Sequence, residues 1–341
     1  MPATVSDIAR EVGKSCQLVS AVLNGGRSKS AASAKTRELI LKEAERLGYR
    51  PNSAARAVST GRFNAIGLLL STAVWKSNIT STMLAGIQSK LSAGDLHLMV
   101  SGFPDETLTD DNQLPKVLRH MLVDGLIVKY DCQFPAKMVE SLRACGLPLV
   151  WMNSRHPFDC VYPDDFGAGL RATEHLLALG HRRIIFADFA LRPVADHCSS
   201  SDRLAGYSSA MQTAGLAQCS LNETPNFPLE QRIELAAEWL SKKNAPTAVV
   251  AECQSSAFPI IYAAALQSLR VPQDLSVITF EGRPVDSTGL RVTTLLIPEE
   301  SMGREAAGML IEKIAHPRRR IKPRVQPFGF DAGETCARRH S

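Results

Sequence analysis

From residue 65 onward, short apolar runs alternate with stretches of helical periodicity, and no other feature limits the fold as much. The apolar runs fall at 66–70, 96–100, 125–128, 149–152, 184–187, 248–251, 277–280 and 294–297. Helical periodicity fills 83–91, 170–179, 203–214, 233–240, 260–269 and 299–314. Runs that are apolar at every position need cover on both faces, which helices flanking a parallel sheet provide. More than 250 residues of this pattern is long for one sheet, so an α/β architecture of two linked lobes is expected. Ligands of such sheets bind beyond the carboxyl ends of the strands, here in the cleft between the lobes.

The first 48 residues follow another rule. Thr4 can cap a first helix with Asp7 in capping-box position, and Ile8, Ala9 and Val12 give that helix an apolar side. Gly13-Lys14 makes a turn, and Ser15 can cap a second helix with Leu18, Val19, Val22 and Leu23 inward. The opposite face carries Cys16, Gln17, Ser20, Ala21 and Asn24, side chains small or amide-bearing enough for a helix lying in a groove. After a Gly- and Ser-rich loop, Ser33 can cap a third helix that packs Leu39, Ile40, Ala44 and Leu47 and ends at Gly48. Pro51 suits the start of a further short helix between the domains, which is marginal alone in water.

Charge is unevenly placed. Up to Arg62, eleven basic residues stand against five acidic ones, so this end carries +6 and the rest carries −1 of the total of +5. A polyanion held by one end of the chain fits that asymmetry. The amino end has neither the basic start nor the apolar middle of an export signal, and no apolar run reaches membrane-spanning length. A cytoplasmic protein is expected. Its eight scattered cysteines contain no Cys-x-x-Cys pair, as expected of reduced thiols without a zinc site.

Catalytic signatures are missing from the sequence. There is no Ser/His/Asp order, P-loop or His-Glu-x-x-His helix, and Gly167-Ala168-Gly169 lacks the rest of a dinucleotide fingerprint. His181, beside Arg182 and Arg183, leads into a strand and reads as structural. No enzyme, cofactor or metal site is expected.

Several stretches together resemble the lactose/galactose-repressor family of bacterial transcription regulators. They are Thr4-Val5-Ser6-Asp7-Ile8-Ala9, Val19-Ser20-Ala21-Val22-Leu23-Asn24, Thr36-Arg37 and Leu47-Gly48-Tyr49-Arg50-Pro51-Asn52. Further on come Ala55-Arg56, Val123-Asp124-Gly125-Leu126-Ile127, Leu179-Gly180-His181-Arg182-Arg183-Ile184, Arg203-Leu204-Ala205-Gly206-Tyr207 and Val271-Pro272-Gln273-Asp274-Leu275-Ser276. The resemblance implies a sequence-specific repressor that binds a palindromic operator as a homodimer. It also implies a sensor domain like a periplasmic binding protein, holding a small sugar-like effector in its cleft.

By the same resemblance, residues 1–48 form a helix-turn-helix head, 49–62 a hinge helix and linker, and 63–341 the effector-binding and dimerisation domain. One lobe takes approximately 63–162 with 292–322, the other approximately 163–291 with 323–341. Cys16, Gln17 and Ala21 occupy base-reading positions, and Gln17 can pair with an adenine edge. Ala21 stands where an arginine is usual and offers only a methyl-sized contact. Thr4, Ser6, Ser15, Ser20, Asn24, Ser33 and Thr36 position phosphates, though capping explains several of them equally. Tyr49, Asn52, Ala55 and Val58 belong to the hinge contact, with Val58 in place of the usual leucine wedge. The loop between Asn24 and Thr36 is three residues longer than usual and carries Arg27 and Lys29.

In the cleft, the resemblance assigns effector contacts to Asn153, Arg203, Glu252 and Glu281, with Arg203 foremost. Trp75, in the loop after the first strand of the large domain, fits stacking on a sugar ring and a core or interface role equally. Asn153, Glu281 and the pair Glu252-Cys253 all differ from the usual residues there. Asp164 and Asp165 read as strand-end or lobe-bridging residues. Two other functions remain open: a constitutive DNA-binding regulator without a free-sugar effector, and a carbohydrate-binding module.

Overall fold

A computed structural model describes residues 3–23, 32–49, 61–110, 122–131, 135–189, 198–221, 227–287 and 289–339. The chain divides into two units, Met1–Ala65 with Leu122–Asp124, and the remainder.

The smaller unit holds three helices: α1 (Val5–Val12), α2 (Cys16–Leu23) and α3 (Ala34–Arg46). Each begins on a hydroxyl cap. The Thr4 oxygen accepts from the Asp7 amide while Asp7 takes the Thr4 amide and hydroxyl in return, closing the box. Those bonds hold the Asp7 carboxyl below the usual carboxylate range. Ser15 accepts from the Leu18 amide and Ser33 from the Thr36 amide. Gly13 ends α1 in the left-handed region at φ 61°, where a side chain would be strained. Ile8, Ala9, Val19, Val22, Ile40 and Ala44 form the core, flanked by Val12, Leu23, Leu47 and Tyr49. One expectation fails here. Leu39 is 47% exposed, because Ile40, Ala44 and Leu47 already occupy the inward stripe and Leu39 lies about 100° around the helix from Ile40.

The larger unit contains two sheets. The first runs β12 (Arg324–Gln326), β5 (Cys160–Pro163), β4 (Leu149–Met152), β3 (Gly125–Lys129), β1 (Ala65–Ser71), β2 (His97–Phe103). Its β12–β5–β4–β3–β1 pairings are parallel. The second runs β10 (Val285–Ser287), β11 (Leu290–Leu296), β9 (Ser276–Glu281), β8 (Ala248–Ala251), β6 (Ile184–Ala187), β7 (Ser220–Leu221), with β13 (Gly329–Asp331) on β11. Its central pairings are parallel, and β10 and β13 join β11 antiparallel. The strands β3, β4, β6 and β8 are buried at every position, as the apolar runs of β4, β6 and β8 require, while β3 ends on the buried Lys129.

The chain passes between the sheets after Pro163, Leu296 and Gln326. The second and third passages lie a few residues beyond the approximate lobe boundaries at 291/292 and 322/323. Leu290–Leu296 pairs along β9, with Thr293 opposite Ile278, and so belongs to the second sheet throughout. Arg324–Gln326 pairs with β5 and stays in the first.

Helix α4 (Ser81–Ser92) and helix α11 (Glu299–Ala315) pack on the first sheet around Met83, Ile87, Leu91, Met302 and Leu310. Gly86 and Gly303 let them touch: a Cβ on Gly86 would lie 2.1 Å from the Glu300 carbonyl oxygen. On the second sheet, α7 (Asp165–Ala178) and α8 (Cys198–Thr213) meet in the same way at Gly169 and Gly206. Two further helices, α9 (Leu229–Leu240) and α10 (Gln254–Leu266), pack on its other side. Among the described residues, no helix is long and apolar enough to cross a membrane.

Near the edge of the first sheet, His156 stacks on Trp151 with ring centroids 4.2 Å apart. Burial, then the charge of Arg143, pushes the His156 pKa down to about 4. The unfolded chain therefore takes up a proton at about pH 6.5 that the folded protein refuses until about pH 4. Stability is full above that window and falls as pH drops through it, by ~1–2 kcal/mol once partial exposure is discounted. Chemical denaturation of wild type and His156→Gln at pH 7 and pH 4 should show an acid loss smaller in the variant by that amount. Equal losses would rule out His156 as the source.

Candidate functional site

On the head, the caps fix where α2 starts and the core fixes which side faces out. Val19 and Val22 are buried, Cys16 and Gln17 are exposed, and Ser20 and Ala21 are half-buried beside them. Thr4, Ser6, Ser15 and Ser33 are exposed, while Thr36 and Tyr49 are half-buried, the latter against the helical core. Asn24, Arg27, Lys29, Asn52, Ala55 and Val58 lie outside the described residues. The described surface of α2 bears no charged side chain, so any phosphate neutralisation comes from the cations around it, such as Lys14, Lys35 and Arg37.

In the larger unit, functional polar groups collect where the strands of both sheets end. Arg203 reaches from α8 toward α7 and the end of β8. Its Nε donates to Asp165 Oδ1 at 2.8 Å, and Nη1 donates to the Glu252 carbonyl at 3.0 Å and carboxylate at 3.2 Å. The guanidinium lies over the rings of Phe280 and Phe328, 4.8 and 5.6 Å from their centroids. Arg203 is 4% exposed and Glu252 fully buried. Burial raises the Asp165 pKa, against the pull of Arg203. The arginine expected to lead effector binding is thus held in an internal ion-pair knot with Asp165 and Glu252.

The edge of the first sheet carries a second knot. Lys129, 1% exposed at the end of β3, pairs with Asp131, which also accepts from Asn153 Nδ2 at 2.7 Å. Asn153 holds φ 63°, which directs its amide into this cluster. Thr80 donates to Glu299 at 2.8 Å, and burial raises the Glu299 pKa. Trp75 stands apart, 43% exposed in the turn Val74–Lys76 with the Lys76 ammonium over its ring.

Glu281 accepts from the Gln254 amide at the start of α10 at 2.8 Å and lines an open pocket of about 440 Å³ with Leu229, Arg232, Gln254, Ser255 and Phe258. The structure therefore joins Arg203 with Glu252, sets Glu281 in a neighbouring pocket, and leaves Asn153 and Trp75 with other partners. Sequence reading missed three residues. Asp165 reads from sequence as a strand-end or lobe-bridging group, Lys129 ends an apolar strand, and Arg232 stands four residues before Ala236 and eight before Leu240 on a buried helical stripe. A cation in such a stripe is the signal that could have found the last two. His181 is structural as expected: Nε2 donates to the Ala337 carbonyl at 3.1 Å and Nδ1 meets the Thr247 hydroxyl at 3.0 Å. Among the described residues, no cluster of His, Cys, Asp or Glu could hold a metal ion.

A capped three-helix head precedes two largely parallel sheets that exchange the chain three times, and the larger unit is built like a periplasmic binding protein. Residues 173–336 match the periplasmic binding protein-like domain family. Catabolite control protein A of Priestia megaterium is 28% identical over 322 residues, covering 91% of this chain and 92% of the relative. The HTH-type transcriptional repressor PurR of Erwinia tasmaniensis is 27% identical over 326 residues, 93% and 92% of the two chains. The crystal structure of the lac repressor dimer bound to operator and the anti-inducer ONPF superposes with a TM-score of 0.77 at 22% identity, covering 99% of this chain and 100% of that one. Over about nine-tenths of its length the chain is similar to bacterial transcription regulators, and its fold is that of the lac repressor.

Proposed function

We propose that this protein represses transcription by binding a palindromic operator as a homodimer, under control of a small effector at the ends of the sensor strands. It is read as a cytoplasmic regulator, not an enzyme. The observation that carries the DNA role is the exposed face of α2, Cys16 and Gln17 beside Ser20 and Ala21, on a capped core within a stretch up to Arg62 that carries a net +6. In this reading α2 lies in the major groove and Gln17 pairs with an adenine edge. Thr4, Ser6, Ser15, Ser20, Asn24, Ser33 and Thr36 set the register on phosphates. Tyr49, Asn52, Ala55 and Val58 serve the hinge contact between half-sites. The lac repressor structure, solved with operator and an anti-inducer, supports both halves of the reading.

Selection of bound duplexes from a random pool with the full chain should yield a symmetric site. On that site Gln17→Ala should weaken binding by about 5- to 150-fold, the equivalent of ~1–3 kcal/mol, and relax preference at one base pair per half-site. Binding without any symmetric preference, or a uniform loss at every position, would reject the assignment.

The locked state of Arg203 and Glu252 favours one variant of this reading, a regulator that answers no neutral sugar. In the main reading Trp75, Asn153, Arg203, Glu252 and Glu281 remain the proposed effector contacts, Arg203 and Glu252 exchanging their mutual bonds for the ligand.

A further inference from the structure

Resting on the effector reading above, we propose that the pocket at the ends of β8 and β9 binds a small polyhydroxy carboxylate, a sugar acid, whose carboxylate is held by Arg232. Arg232 projects from the buried face of α9 and is 7% exposed. Its Nη1 makes two long bonds, 3.4 Å to the Phe189 carbonyl and 3.3 Å to the Ser255 carbonyl, and no described acid pairs with it. Its Nε is buried and has no hydrogen-bond partner. A guanidinium taken out of water without a counter-charge is costly, and a protein keeps one where a ligand supplies the charge.

The geometry of the fork selects the ligand group. With Nη1 committed to the two carbonyls, the remaining edge is formed by Nε–H and Nη2–H, two parallel donors spaced for the two oxygens of one carboxylate. The amino end of the 13-residue helix α10 borders the same pocket and adds partial positive charge. Glu281 faces it too, with Oε1 on the Gln254 amide. That carboxylate repels a second anionic group and accepts from hydroxyls, so the rest of the ligand should be neutral and hydroxylated. Leu229 and Phe258 supply an apolar wall, and about 440 Å³ is a volume suited to a small ligand. Arg232 is thus free of the acids that hold Arg203, which is tied to Asp165 and Glu252.

The test uses the full chain with D-gluconate, D-glucuronate and D-galacturonate against D-glucose, D-galactose, acetate and L-serine, read by thermal shift. At least one sugar acid should raise the melting temperature of the larger unit by about 5 °C near saturation, while the neutral sugars, acetate and serine move it by less than about 1 °C. Arg232→Met should erase that shift and raise the unliganded melting temperature by about 2–4 °C, since it removes an uncompensated buried charge. The proposal is overturned if no acid shifts the melt, if neutral sugars or serine shift it as far, or if Arg232→Met keeps the acid response. It is equally overturned if the unliganded variant melts lower, which would make Arg232 a structural tie between two carbonyls. Operator binding measured in parallel separates the two readings. A wild type that responds on operator to glucose but not to the acids keeps the effector reading and sinks this one. A wild type with no operator preference sinks the regulator reading itself.

Discussion

Arg203→Met should lower the melting temperature of the larger unit by about 10 °C. The arginine is the only cation bonded to Asp165 and Glu252 among the described residues, and both acids are buried. Removing one member of a buried ion cluster leaves the others as uncompensated charge, at a cost of ~3–5 kcal/mol. For a unit of this size each kcal/mol displaces the transition by about 2–4 °C. Losing the stacking of the guanidinium on Phe280 and Phe328 adds to the deficit. The carboxyls provide an internal check. Burial already raises Asp165, so the folded state holds its proton to higher pH than the unfolded chain does. Without Arg203 that rise grows, and the stability lost on ionisation disappears again as pH falls toward the ordinary carboxylate range. The deficit of the variant should therefore be largest near neutrality and shrink toward pH 4. Adding Asp165→Asn and Glu252→Gln should recover most of it at pH 7. A deficit independent of pH, or one that the two amides fail to reduce, would mean that the arginine acts by packing alone.

The parts of this molecule legible in its sequence are those set by local chemistry. Thr4, Ser15 and Ser33 are legible as caps because each hydroxyl stands just before a helical stripe, and all three accept the expected amides. Strands buried on both faces announced themselves as unbroken apolar runs, as in Ile184–Ala187 and Ala248–Ala251. Short strands did not. Arg324–Gln326 has no period to detect and owes its place to pairing with β5, and so the passages between the sheets were misplaced by a few residues. The cleft was legible by position only. Sequence placed Arg203 there but could not show Asp165, 38 residues earlier, closing on its Nε, since that contact depends on two helices touching at Gly169 and Gly206. Leu39 and Ile40 illustrate the same limit within one helix. Both are apolar neighbours, and which of them faces inward is settled by what the other two helices present.

That difference supplies the second large effect. Ile40→Ala should unfold the head and abolish high-affinity operator binding, while the melting transition of the larger unit stays where it is. Ile40 is fully buried among Ile8, Ala9, Val19, Val22 and Ala44, so truncation removes three carbons from a core of six side chains. Such a change costs ~2–5 kcal/mol. A module of fewer than 50 residues has little more than that in reserve, because so small a core buries only a modest share of its surface. With the head mostly unfolded, apparent affinity falls in proportion to the folded fraction, by about 100-fold for a shift of ~2.7 kcal/mol beyond the balance point. Amide exchange in the head would rise to the unprotected rate over α1 to α3. Leu39→Ala is the control: at an exposed position it should alter head stability by less than ~0.5 kcal/mol. Operator titration and amide exchange on the two variants, one residue apart, decide the register of α3. Equal damage from both would place Leu39 in the core and overturn the packing that presents Cys16 and Gln17 to the groove.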